Sequence, residues 1–132
     1  MPTIEKETAS TQKNRRGLPR IWHAARYSAA GLNSAWHETA FRQEALLAAV
    51  LAPSALLLGS NWLERSILIG SVIAVLVVEL LNTAIESALD RVGLDWHPLT
   101  KRAKDMGSAA VLLTLLWTAA TWGTAIYSRL PL

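Results

Sequence analysis

Cysteine is absent from this sequence, which excludes disulfides and thiolate metal centres while leaving the compartment open. Charge is sparse: 17% of residues are Asp, Glu, Lys or Arg, below the roughly 25% typical of soluble domains. The seven glycines form no glycine-rich phosphate loop and no soluble-kinase signature. A cleavable signal peptide is not expected, because the first apolar block begins late and follows a polar N-terminal segment.

Apolar residues make up 52% of the 132-residue chain, a length that forms one domain. They gather in three blocks, Ala45–Gly59, Leu63–Leu89 and Met106–Tyr127. The third is free of charge and exceeds the ~20 residues needed to span a bilayer. The first is shorter, so it spans only if residues from about Phe41 share its depth, and Pro53 inside it should loosen the helix near Ala49. Residues 1–19 are polar and unpatterned and read as a disordered extension. From Arg20 to Trp36, apolar residues recur at helical spacing with Trp22, Tyr27 and Trp36 as interfacial aromatics, which predicts an amphipathic helix along the membrane surface. The fold class expected is therefore an all-α membrane protein, with this surface helix (20–36) followed by spans at about 41–59, 63–90 and 105–128.

The basic residues orient it. Lys6, Lys13, Arg15, Arg16, Arg20, Arg26 and Arg42 precede the first span, and Arg91, Lys101, Arg102 and Lys104 lie between the second and third. The positive-inside rule places the N-terminus and the 91–105 loop in the cytoplasm, with the C-terminus outside. The net charge of +3 does not indicate nucleic acid, because the positive residues cluster beside spans, where they meet headgroups.

One feature of the second span is expensive. Glu79 follows the run Ile67–Val78 (ILIGSVIAVLVV), and a carboxylate there costs roughly 2.5–3.5 kcal/mol on insertion scales. Glu79, Asn82 and Glu86 fall at i, i+3 and i+7 on one helical face, with Asp90 one turn further on. Glu79 and Glu86 are separated by about 10 Å along the axis. Such a stripe can hold a cation and activate a hydroxyl; it can also be a polar seam between helices. Ser66, Gly70 and Ala74 have the small-xxx-small spacing of close helix packing. Together with carboxylates that need covering, that spacing favours a homo-oligomer.

Glu38 and Glu44 flank the start of the first span and, taken alone, read as solvated interface charges. Glu38 lies at the depth expected for Glu86, and these two carboxylates from different segments also suit Mg²⁺, which binds one or two carboxylates plus substrate phosphates. Lys104 can contact a phosphate, Asp105 at a helix start can be a cap, and Asp95 and His97 are loop residues near that surface.

Three stretches carry a resemblance: Glu38-Thr-Ala-Phe-Arg-Gln-Glu44; Val78-Glu79-Leu-Leu-Asn82-Thr-Ala-Ile-Glu86 with Asp90-Arg91; and Arg102-Ala-Lys104-Asp105-Met-Gly107-Ser108-Ala-Ala-Val. In order and over about residues 20–128, they resemble the prokaryotic diacylglycerol kinase family; residues 1–19 are extra. The resemblance implies a homotrimeric kinase of the inner membrane, with composite sites between subunits. It would move the γ-phosphate of ATP to the primary hydroxyl of diacylglycerol, giving phosphatidic acid. It implies Glu79 as catalytic base, and Glu38 and Glu86 as holders of Mg²⁺ on the ATP phosphates. Asn82, Lys104 and Asp105 would complete the polar site. Arg20, Tyr27, Asp95 and His97 would line the nucleotide site, and Ser28, Glu44 and Ser108 would lie near the lipid headgroup. Undecaprenol kinases share these motifs. From another class, an acidic stripe can also line a cation or proton path in a non-catalytic oligomer, a reading that leaves Glu38, Lys104 and Asp105 without a role.

Overall fold

The computed structural model describes residues 17–131; most of the expected extension therefore lies outside the described residues. Four helices make up the chain: α1 Leu18–Trp36, α2 Thr39–Leu58, α3 Trp62–Val92 and α4 Pro98–Tyr127. No strand occurs among the described residues. The chain divides at Ser34 into two units, taken separately here.

In the first unit, Gly17 holds φ at 76°, the left-handed region that glycine enters without a Cβ clash. Its carbonyl accepts from the Arg20 amide at 3.1 Å, so the helix starts at Leu18, two residues earlier than expected. Pro19 is tolerated there because the first turn has no amide partner to lose. Leu18, Ile21, Trp22, Tyr27 and Leu32 are all exposed, as expected of a helix whose apolar face has no cover of its own.

The second unit is an antiparallel three-helix array in which α3 packs against both α2 and α4. All three helices are long and apolar enough to cross a membrane. At 1.5 Å per residue α2 is about 30 Å long, matching the hydrocarbon core, whereas α3 and α4 reach about 45 Å and must project beyond it. Helix α2 runs unbroken through Pro53. Helix α4 starts seven residues before its expected span, because His97 caps it and Pro98 occupies its first turn. The His97 Nδ1 accepts the Leu99 amide at 3.2 Å.

The other end of the array is closed by a polar knot. Asn61 caps α3 by accepting from the Glu64 amide at 2.9 Å, and Glu64 accepts in return from the Ser60 amide at 2.7 Å, close to a capping box. Arg129, beyond α4, donates to Glu64 at 2.9 Å and to the Leu58 carbonyl at 2.6 Å. That one guanidinium ties the ends of all three helices together.

Between the ends, α3 buries Leu68, Ser71, Val72, Val75, Glu79 and Asn82, a single stripe at helical spacing. Its upper half forms the core with Ala48, Ala55, Trp122 and Ala125. Lipid is as apolar as leucine, so polar contacts between helices matter here. Trp122 Nε1 donates to the Leu68 carbonyl at 3.3 Å, and Thr118 Oγ1 to the Ser71 carbonyl at 3.1 Å. Large apolar residues of the spans such as Leu47, Val50, Leu57, Ile73, Val77, Leu81, Leu112 and Leu116 stay exposed, available to acyl chains or to other copies. Gly70 meets nothing within 4 Å, so the small-residue face around it is unused within the chain.

Replacing Trp122 by Ala is expected to cost about 3–5 kcal/mol, through the cavity it leaves. Trp122→Phe keeps most of the volume and should cost only about 1 kcal/mol for the lost donor. Unfolding followed by circular dichroism in mixed micelles should rank the two in that order.

Candidate active site

Glu79 and Asn82 sit on the same α3 stripe as the core, one and two turns beyond Val75, so the packing that buries leucine and valine also buries them. Glu79 is 5% exposed and Asn82 9%. Among the described residues the ion pairs are Lys101–Asp105, Lys104–Asp90 and Arg129–Glu64; none reaches Glu79. The charges it feels are of its own sign. Glu86 and Glu38 both lie within electrostatic range of Glu79, and Glu79 within range of Glu44. Carboxylates from the start of α2 and from two turns of α3 are thereby gathered at one end of the array.

Each enters for a local reason. Glu38 occupies the N-cap position of α2, but its side chain makes no capping hydrogen bond, which leaves the carboxylate available. Glu44 lies in the second turn of α2, half-buried, and its Oε2 is buried without a hydrogen-bond partner. Read alone, the sequence offers interface charges at both positions and an Mg²⁺ candidate at Glu38. The packing of α2 on α3 brings both within electrostatic range of Glu79. Asn82 Nδ2 donates to Glu86 Oε1 at 3.4 Å, a long contact, while Asn82 Oδ1 is buried without a partner.

Glu79 itself, buried with no ion-pair partner among the described residues, calls for a cation or for a proton. No cluster of three or more His, Asp or Glu side chains among the described residues is close enough to cage a metal by itself.

Beside the acids, where α3 and α4 project past the hydrocarbon, Asp90, Asp95, His97, Thr100, Lys101, Lys104 and Asp105 line a cleft of about 550 Å³. Four residues chosen from sequence, Asp95, His97, Lys104 and Asp105, therefore share one concavity. Lys104 Nζ donates to Asp90 Oδ1 at 2.8 Å and is also within electrostatic range of Glu86, so it links the cleft to the acidic group. Asp105 forms an exposed i, i+4 pair with Lys101 and caps nothing; the cap is His97. Ser108 is exposed on α4. Arg20, Tyr27 and Ser28 lie on α1, all exposed, with the Tyr27 ring tilted at 33° to that of His23, 6.2 Å between centroids.

Two participants escaped the sequence reading. The Asp90–Lys104 bridge spans the 93–97 loop, and only the fold brings its partners together. The second is Gly107, buried on α4 and facing Asn82 so closely that a Cβ there would displace the Asn82 carboxamide. It stands inside one of the motif stretches, but nothing in the sequence says what it faces.

Comparison with known proteins gives the family. The family model for prokaryotic diacylglycerol kinase matches residues 26–126. A diacylglycerol kinase of Pseudomonas aeruginosa is 49% identical over 115 residues, covering 86% of this chain and 94% of the relative. One from Escherichia coli K12 is 45% identical over 117 residues, 88% of this chain and 96% of the relative. One from Haemophilus influenzae is 42% identical over 112 residues, 84% and 95% respectively. All three motif stretches and the Lys104 cleft lie inside the matched region, and the chain belongs to the prokaryotic diacylglycerol kinase family.

Proposed function

We propose that this protein is a membrane lipid kinase that phosphorylates the primary hydroxyl of diacylglycerol with ATP, giving phosphatidic acid. The observation that carries this reading is a carboxylate, Glu79, buried in an apolar span with Glu38 and Glu86 within electrostatic range, together with a polar cleft lined by Lys104, itself within range of Glu86. A greasy alcohol arriving sideways from the bilayer and a triphosphate arriving from water need a site at this depth.

In this reading Glu79 accepts the hydroxyl proton as the oxygen attacks the γ-phosphorus; the O–P bond forms and the bond to the β-phosphate oxygen breaks, releasing ADP. General-base help of this kind is worth about 10²–10⁴-fold. Glu38 and Glu86 would hold Mg²⁺, which when bound supplies neutralising charge on the phosphates. Lys104 contacts phosphate, Asn82 and Asp105 complete the polar site, and Arg20, Tyr27, Asp95 and His97 line the nucleotide. Glu44, Ser28 and Ser108 lie toward the lipid headgroup. The exposed apolar faces and the unused Gly70 face support assembly as a homotrimer in which neighbouring chains cover the acids. The distribution of Lys and Arg supports an inner-membrane topology with the N-terminus in the cytoplasm and the C-terminus outside. A non-catalytic ion-conducting oligomer would need neither the Lys104 cleft nor Glu38.

In mixed micelles, Glu79→Gln is expected to lower kcat by about 100- to 10,000-fold while helical content and oligomer size stay unchanged; full turnover in that variant would remove Glu79 as the base. Offered diacylglycerol and undecaprenol side by side with radiolabelled ATP, the purified protein should label diacylglycerol preferentially. Preferential labelling of undecaprenol would reassign the acceptor.

A further inference from the structure

We infer that Gly107 is a positioning residue, whose missing side chain holds the Asn82 carboxamide in the place the reaction needs. The inference rests on the kinase reading above and assigns a role to a residue that touches no substrate.

A Cβ built on Gly107 would collide with Asn82 Oδ1, would lie 3.3 Å from Asn82 Cγ, and would lie 3.9 Å from Asn82 Cβ. The clash grows along the side chain. At Cβ the contact is an ordinary van der Waals distance; at the oxygen it is untenable. Helix α4 can therefore carry an alanine at 107 without moving its backbone, provided the carboxamide swings away. The contact thus controls a rotamer and not the packing of two helices.

The orientation being held is a specific one. Asn82 Nδ2 points to Glu86 Oε1, and Oδ1 is sequestered against α4 with no hydrogen bond. A carboxamide left to itself would turn its oxygen toward a donor, because a buried, unpaired acceptor costs about 1–3 kcal/mol. The glycine notch offers the oxygen a seat beside the Gly107 Cα, a weak C–H donor of the kind found where helices approach closely. With the oxygen parked there, the amide donors face the acidic group. A rotated Asn82 would present its oxygen to Glu79 and Glu86, adding repulsion where a donor is needed. The register that sets the contact is shared along the whole seam: Trp122 opposes Leu68, Thr118 opposes Ser71, and Gly107 opposes Asn82.

The test compares Gly107→Ala with Gly123→Ala in the full-length protein. Gly123 lies on the same helix with nothing within 4 Å, so it reports the effect of a methyl group alone. Gly107→Ala should fold and assemble, lower kcat by about 10- to 100-fold, and leave KM for ATP within about twofold. With ¹⁵N-asparagine labelling, the Asn82 side-chain amide resonances should move in Gly107→Ala and stay in Gly123→Ala. The resonance readout needs no turnover, so it holds even if the acceptor lipid is misassigned. Unchanged kcat, unmoved Asn82 amide resonances, or an equal loss in Gly123→Ala would overturn the inference. If Gly107→Ala fails to fold, the double variant Asn82→Ala/Gly107→Ala decides: recovery of the folded protein supports the contact, and continued misfolding refutes it.

Discussion

The antiparallel seam between α3 and α4 is the constraint on which the rest depends. Along it a single face of α3 passes from leucine and valine to Glu79 and Asn82 without leaving the buried stripe. Apolar packing, two indole and hydroxyl donors on α3 carbonyls, and a glycine notch hold the helices in one register. A slip of one residue would turn that face by about 100° and leave the acids toward lipid. Holding a carboxylate below the headgroups costs several kcal/mol, and the seam is what makes that cost tolerable.

The two ends of the array divide the labour. At the turn end, Asn61, Glu64, Ser60 and Arg129 satisfy one another and the last carbonyls of α2. At the loop end, acids face acids, Asn82 keeps an unpartnered oxygen, and Lys104 bridges to a cleft. The satisfied end contributes stability. The frustrated end is poised for a ligand that brings charge of its own. Helix length separates them, since α3 and α4 exceed the hydrocarbon thickness by about 15 Å.

The interior of the second unit is small. Three helices bury one stripe of α3 and little else, and residues such as Val50, Ile73, Leu113 and Trp117 remain exposed in the single chain. Glu79 and Asn82 are nonetheless covered within that chain, so no neighbouring copy is needed to hide these two side chains.

Much of this was legible in the residues themselves. Hydropathy period and length determined three spans, because backbone groups in lipid must be satisfied within each helix and leave few alternatives. The i, i+3, i+7 spacing of Glu79, Asn82 and Glu86 determined their common face, because helix geometry is the same everywhere. What no local pattern encodes is which segments meet. Only the tertiary structure decided that Glu44 feels Glu79, that Lys104 bridges to Asp90 across the loop, that His97 caps α4, and that Gly107 faces the Asn82 oxygen. Those contacts depend on the register of one helix against another. Register is settled by the summed fit of small, polar and apolar side chains along the whole seam, not by any residue read in place.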